Sequence, residues 1–421
     1  MVITAACCRT SIGLTAEATA AAARAGISRV KLSESFDDLE GNPIAESRLR
    51  WTEAPPEEPA AAAEPDHDDT GQADEPRDAA DGPDQVDAEV DEDAADAASP
   101  ALDSEEVDDE LETEESADGE PDDEADAGER VGLAARQCLA DLLAAEIDAA
   151  PGLRERPWHL LLGVAVPTRP GPRYEGGDRT LGQLLRHWPR ELPRPAVEIV
   201  SDGNASGVRA LHLARQILQR DPQAICIVGA IDSLLDEETV AWLESAERLR
   251  SETFGRNQGM APGEAVGFLL LEDPRTARGA RRPALAEVVG LGLASEPAPF
   301  LSEAPSRSEG LTLACRAALE QARRVPSEIG LVIGDLDGEL HRSREWAHVD
   351  LRLFDSAHPA RELWHPAEYF GSVGAASGVV LAAIAAVLIA RGWLPAGPAL
   401  VFTSDDSGPR GCAILAATSP A

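Results

Sequence analysis

The stretch SDGNASGVRALHLARQIL, Ser201 to Leu218, opens as a sharp turn of small and polar residues and continues into an amphipathic helix. A short apolar strand, Ala196 to Val200, runs into it. A strand, a tight turn and a helix in that order make an elbow, and many enzymes hold a nucleophile at its tip. The tip here is Asn204, and a carboxamide does not attack acyl groups. The stretch therefore poses one question: is this an active site, or the shell of one?

Working outward, strand and helix signals alternate. Val2 to Cys8 reads as a strand, and Thr15 to Ala25 as an Ala-rich helix that Gly26 ends. Gly132 to Ala149 predicts a helix, His159 to Val166 a nearly continuous apolar strand, and Thr180 to His187 a short helix. Beyond the elbow, Ala224 to Ala230 and Ala265 to Glu272 read as buried strands. A second series follows: strand Pro283 to Leu293, helix Ser308 to Arg324, strand Gly330 to Gly334 and helix Ser372 to Arg391. Strands Ala399 to Thr403 and Cys412 to Ala417 close it. The alternation predicts an α/β protein with a mostly parallel sheet. Gly371 to Ala390 carries no charge over a membrane-span length, but only Val379 to Ala390 is strongly apolar, so a buried helix is expected.

The net charge of −39 is concentrated in one place. Glu53 to Glu129 holds 34 of the 76 acidic residues and one base, Arg77, leaving the other 344 residues at a net −6. That segment is Ala, Asp, Glu and Pro with almost no large apolar side chain, so it is expected to be a disordered insert over 53–130. A solvated spacer and an acidic arm for a basic partner are both open readings. No basic stripe points to nucleic acid. The six cysteines are scattered, with no CxxC and no metal-ligand spacing, as expected of a reducing, cytoplasmic compartment. Neither a metal nor another cofactor is expected.

Four stretches carry a family resemblance. GNASG (Gly203 to Gly207) resembles the A-C-A-S-G elbow of β-ketoacyl synthases. GMAPGEAVGFLLLED (Gly259 to Asp273) resembles their F-x-x-G-E-G-A-G-x-L-V-L-E segment. YFGSVGAASGVVLAAIAAVL (Tyr369 to Leu388) resembles their G-H-T-x-G-A-A-G helix start, and VITAACCRTSIGLT their opening strand and loop. The resemblance implies a thiolase-like fold of two similar halves in five layers, here 1–52 with 131–275, then 276–421. It also implies a dimer.

Enzymes of that family condense acyl units through a Cys at a helix N-terminus and two His donors. The resemblance places the nucleophile at Asn204, the first His at Asp335 and the second at Gly371. An Asp is ordinarily ionised at neutral pH and would repel an oxyanion. The family's G-F-G-G loop aligns with Asp405, Asp406, Ser407 and Gly408. Substitute nucleophiles to weigh are Ser201 and Ser206, and substitute bases His212, His341, His348, His358 and His365. The charged run Asp335, Asp337, Glu339, Arg342, Arg344 and Glu345 is a solvated loop, an internal ion-pair network or a new polar site. The expected protein is a non-catalytic partner or scaffold for acyl groups, an acyl carrier or another synthase subunit, as a homodimer or heterodimer. The alternative is an active acyltransferase with an altered nucleophile.

Overall fold

A computed structural model describes residues 1–49, 126–172, 180–252, 258–302, 304–354, 361–394 and 397–418. The acidic insert lies outside them up to residue 125. Its expected last residues do not: Asp126 caps a helix that starts at Ala127, its carboxylate accepting from the backbone N–H groups of Gly128 and Glu129. A good N-cap within an acidic run is easily read as more of the run.

The first half runs β1 (Val2–Arg9), α1 (Ala16–Arg24), a hairpin of β2 (Lys31–Asp37) and β3 (Pro43–Glu46), and α2 (Ala127–Ala149). It continues through β4 (Trp158–Gly163), α3 (Thr180–Arg186), β5 (Ala196–Val200), α4 (Ser206–Arg220), β6 (Ile225–Ser233), α5 (Glu237–Ser245) and β7 (Glu264–Glu272). After the short α6 (Pro274–Gly279) the second half repeats the theme. It comprises β8 (Ala286–Ser295), α7 (Glu309–Ala322), β9 (Leu331–Gly334), α8 (Leu340–Leu353), β10 (Glu362–Trp364), α9 (Ala367–Phe370), α10 (Ser377–Ala390), β11 (Ala399–Ser404) and β12 (Pro409–Ala416).

The sheet order is β10-β9-β11-β12-β8-β1-β7-β6-β4-β5. Read outward from the β8–β1 junction, each half places its strands in the same sequence, and β1 pairs with β8 at Val2–Glu287 and Ile3–Ala286. Pairing is parallel at β4–β5, β4–β6, β9–β11 and β9–β10 and antiparallel elsewhere along this order, so the sheet is mixed rather than mostly parallel. The two final strands of each half pair antiparallel to each other, which the helix-and-strand alternation conceals.

Side-chain alternation along the strands makes the layers. Val266, Phe268 and Leu270 face outward to α2 and α3, while Ala265, Leu269 and Leu271 face inward. In the second half Val332, Leu400, Phe402 and Ile414 pack outward with α7 and α8. Between the two sheet faces lie α1, α4 and α10. The result is the five-layer thiolase-like α/β arrangement. Every residue of α10 from Ser377 to Leu388 is buried, as expected for a helix apolar on all sides at the centre of a large core. Among the described residues no helix is long and apolar enough to cross a membrane.

α4 and α10 touch through glycine. A Cβ on Gly207 would sit 2.7 Å from the Val379 nitrogen, and one on Gly378 would sit 3.2 Å from Gly207 Cα. Only bare Cα atoms allow two helices this close.

β5 is an edge strand with Ala196, Val197 and Glu198 exposed. One expectation changes. Cys7 on β1 and Cys138 on α2 form a disulfide with a Cα–Cα distance of 6.1 Å, where scattered thiols were expected. A separation of 131 residues hides that these two elements are neighbours.

Candidate functional site

The elbow forms as the sequence indicates. Gly203–Ala205 is a 3-10 turn leading into α4, and Gly203 takes φ +56, a left-handed conformation that suits glycine. Asn204 is 8% exposed. Its side-chain amide donates to Asp335 Oδ2 at 3.0 Å, and its backbone N–H donates to Asp405 Oδ2 at 3.1 Å. Asp335 follows β9 and Asp405 follows β11. The fold therefore gathers Asn204, Asp335 and Asp405, which the resemblance matches to the nucleophile, first His and glycine-loop positions, from three separate segments of the chain.

Gly371 takes φ +78, and a Cβ there would lie 3.0 Å from both Ala261 O and Gly263 Cα. The next residue, Ser372, donates its N–H to Ala261 O and accepts from Gly263 N. This backbone pairing has no room for an imidazole at position 371. Ser372 turns its hydroxyl to Asp337 Oδ2 at 3.4 Å.

Behind Asn204 the charged run is an internal network, not a solvated loop, and much of it is the helix α8. Charged residues with buried partners carry a helical period that looks like surface. Arg342, 4% exposed, reaches Asp337 at 3.0 Å, Asp406 at 3.1 Å and Asp335 at 3.5 Å. Arg248, 3% exposed, grips Glu339 through two 2.7 Å bonds and Asp406 at 2.8 Å. Four acids thus share two guanidinium groups. Asp335 is not an ordinary ionised Asp: burial pushes its carboxyl up, and Arg342, the Ser404 N–H and the Asn204 amide pull it back. Burial pushes Asp337 up to about 7 against the pull of Arg342. Asp406 is held low by Arg342, Arg248 and His341, which outweigh its burial. Arg344 is exposed, and Glu345 pairs with Arg410 at 2.7 Å.

Several of the substitutes are engaged elsewhere. Ser206 donates its hydroxyl to Val164 O at 3.0 Å and accepts from the Asp202 N–H. Ser201 is half-buried ahead of the turn. His212 lies further along α4 beside Gln216, its pKa lowered by burial. His341 stacks on Phe300 at 4.0 Å, His348 meets Ser308 Oγ at 3.0 Å and His365 sits near Glu368. His358 lies outside the described residues.

Beside Asn204 is a cavity of about 50 Å³, bounded among others by Arg169, Leu301, Ser372, Asp405 and Asp406. Small-molecule sites typically run to ~300–1,000 Å³. This space suits a few water molecules rather than an acyl chain.

Sequence reasoning passed over Asp232 and Arg169. Gly374–Ala376 is a second 3-10 turn, opening α10, with Gly374 at φ +49. The N–H of Ala375 donates to Asp232 Oδ2, and Arg169 holds the same carboxylate by two bonds of 2.7 and 2.6 Å. The sequence GNASGV at Gly203–Val208 repeats as GAASGV at Gly374–Val379. That internal repeat was the available signal for a second elbow.

Comparison with known proteins agrees with this architecture. The sequence profile of the family "Beta-ketoacyl synthase, N-terminal domain" matches residues 195–277, which span β5 to α6. Polyketide synthase PksR of Bacillus subtilis is 33% identical over 101 residues, 23% of this chain and 4% of that protein. A 3-oxoacyl-[acyl-carrier-protein] synthase homolog of Saccharomyces cerevisiae is 26% identical over 138 residues, 32% of this chain and 31% of that protein. The chain thus spans less than a third of either relative's length. The solved ishigamide ketosynthase/chain length factor superposes over 99% of both chains with a TM-score of 0.66 at 17% identity.

Proposed function

From the premise that this chain is β-ketoacyl-synthase-like in sequence and fold, we propose that it is a non-catalytic member of an acyl-condensing system. In this reading it acts as a partner or scaffold for an acyl carrier, an acyl group or another synthase subunit. The carrying observation is Asn204. The nucleophile position holds a carboxamide, and both its amide groups are bound by carboxylates of the chain itself. A thioester finds no attacking atom there and little space beside it.

A partner role accords with the ketosynthase/chain length factor pair named among the solved structures. The free edge of β5, with Ala196 to Glu198 exposed, offers a homodimer or heterodimer its place of contact. The rival reading is an acyltransferase with a relocated nucleophile. Its candidate nucleophiles beside the turn are Ser201, half-buried ahead of it, and Ser206, whose hydroxyl is already engaged on both sides by backbone groups.

The test is intact-protein mass after incubation with acyl and malonyl thioesters, followed by peptide mapping. No adduct is expected under conditions that label an active ketosynthase fully. A stable adduct on one Ser or Cys, lost when that residue becomes Ala, would refute the non-catalytic reading and name the nucleophile.

A further inference from the structure

We propose that Asp405 is a built-in anion seated on the amide of the elbow. It closes the N-terminus of α4 to an acyl oxyanion whatever residue stands at position 204. The assignment builds on the non-catalytic reading but is tested apart from it.

Helix N-termini attract negative charge through free N–H groups and the aligned peptide dipoles. Acyl transfer uses such N–H groups, often the nucleophile's own, to hold the oxygen on which charge develops. Here the N–H of residue 204 already donates to Asp405 Oδ2 at 3.1 Å. The carboxylate also puts a negative charge where the reaction would build another, and at such range in a buried site like charges repel strongly.

The seat is shaped for this occupant. A Cβ on Gly203 would lie 1.8 Å from Asp405 Oδ2, so the carboxylate rests against a bare Cα. The aspartate does not hang free. Its Oδ1 accepts from the N–H of Ser407 at 2.9 Å and from its hydroxyl at 2.5 Å, and its own N–H donates to Pro409 O at 2.9 Å.

The second elbow supplies the precedent. Asp232 caps Ala375 in the same manner, and a Cβ on Gly374 would lie 2.1 Å from its Oδ2. Each carboxylate comes from the end of a corresponding strand, β6 or β11, in the opposite half. At α10 the residue so capped is an alanine. The elbow of α4 has therefore acquired the plug used where the position carries no reactive group at all.

The experiment compares full-length Asn204→Cys, Asn204→Cys/Asp405→Gly and Asn204→Cys/Asp405→Asn, using the acetyl thioester of N-acetylcysteamine as a small probe and intact mass against time. Acetylation forms a sulfur–acyl bond at position 204 and expels the N-acetylcysteamine thiolate, which takes up the proton that the attacking thiol loses. Asn204→Cys alone should acetylate no faster than the wild-type background. Replacing Asp405 by Gly should speed the reaction on the order of 100-fold, the typical worth of an oxyanion donor. The Asp405→Asn double variant, neutral but still an acceptor, should fall between.

The assignment is overturned if Asn204→Cys reacts within about threefold of the Gly double variant. It is also overturned if that double variant, folded by circular dichroism, stays unreactive. Should the double variant fail to fold, amide exchange at position 204 decides. Asp405→Ser in the otherwise wild-type chain should raise the exchange rate roughly tenfold, and unchanged protection would refute the plug. Acylation of the wild-type chain itself would instead strike at the non-catalytic reading.

Discussion

The two elbows are built alike and balanced differently. GNASGV opens α4 and GAASGV opens α10, each through a left-handed glycine, and each is capped by a carboxylate from the other half. Asp232, at the second elbow, is matched by the two-pronged grip of Arg169. Asp405, at the first, has Ser407 and a helix amide in its place. Its surroundings behind Asn204 hold more acids than guanidinium groups. The second elbow is thus a balanced structural joint. The first is a joint of the same build with its charge left partly uncompensated.

The largest expected effect breaks the balanced joint. Asp232→Ala breaks the two-pronged buried ion pair with Arg169 and the cap on Ala375, and should cost about 3–5 kcal/mol in urea unfolding. Gly207→Val forces a branched side chain against the Val379 backbone, and about 2–3 kcal/mol should be lost, read from the same denaturation curve. Asp405→Ala removes hydrogen bonds without breaking a buried ion pair, so about 1–2 kcal/mol is expected. A cost equal to that of Asp232→Ala would erase the proposed difference between the elbows.

The pH dependence sharpens the comparison further. The carboxyl of Asp337, raised to about 7 from an unfolded value of 3.8, holds a proton in the folded state that the unfolded chain has already released. Its contribution to stability is therefore greatest below the unfolded value and falls as pH rises from about 4 to 7. Unfolding free energies of Asp337→Asn measured across that window should decline less steeply than those of the wild type. The smallest effect is at the rim. Phe300→Ala removes the stack on His341 and the face under Arg248, for about 0.5–1 kcal/mol.

Much of this was legible beforehand where a local rule sufficed. The elbow, the all-apolar α10 and the duplicated strand-helix series follow from period and turn chemistry in GNASG and VVLAAIAAVL. The convergence of Asn204 and Asp335 followed from resemblance alone. What was not legible depends on contacts between distant segments. Arg342 and Glu339 look like surface residues until Arg248, 91 residues before Glu339, is brought against them. The link between Asp405 and Asn204 spans 201 residues, and that between Asp232 and Ala375 spans 143. No periodicity encodes such pairings. The repeat GNASGV/GAASGV could have been read, and it would have directed attention to Asp232.

Glu264 has a consequence of another kind. Its carboxylate accepts from the Leu49 N–H at 3.1 Å and from Arg130 at 2.6 Å, so the chain departs for the acidic segment and returns from it at one buried anchor. One buried carboxylate therefore ties together the two ends between which that sequence runs, whatever its length.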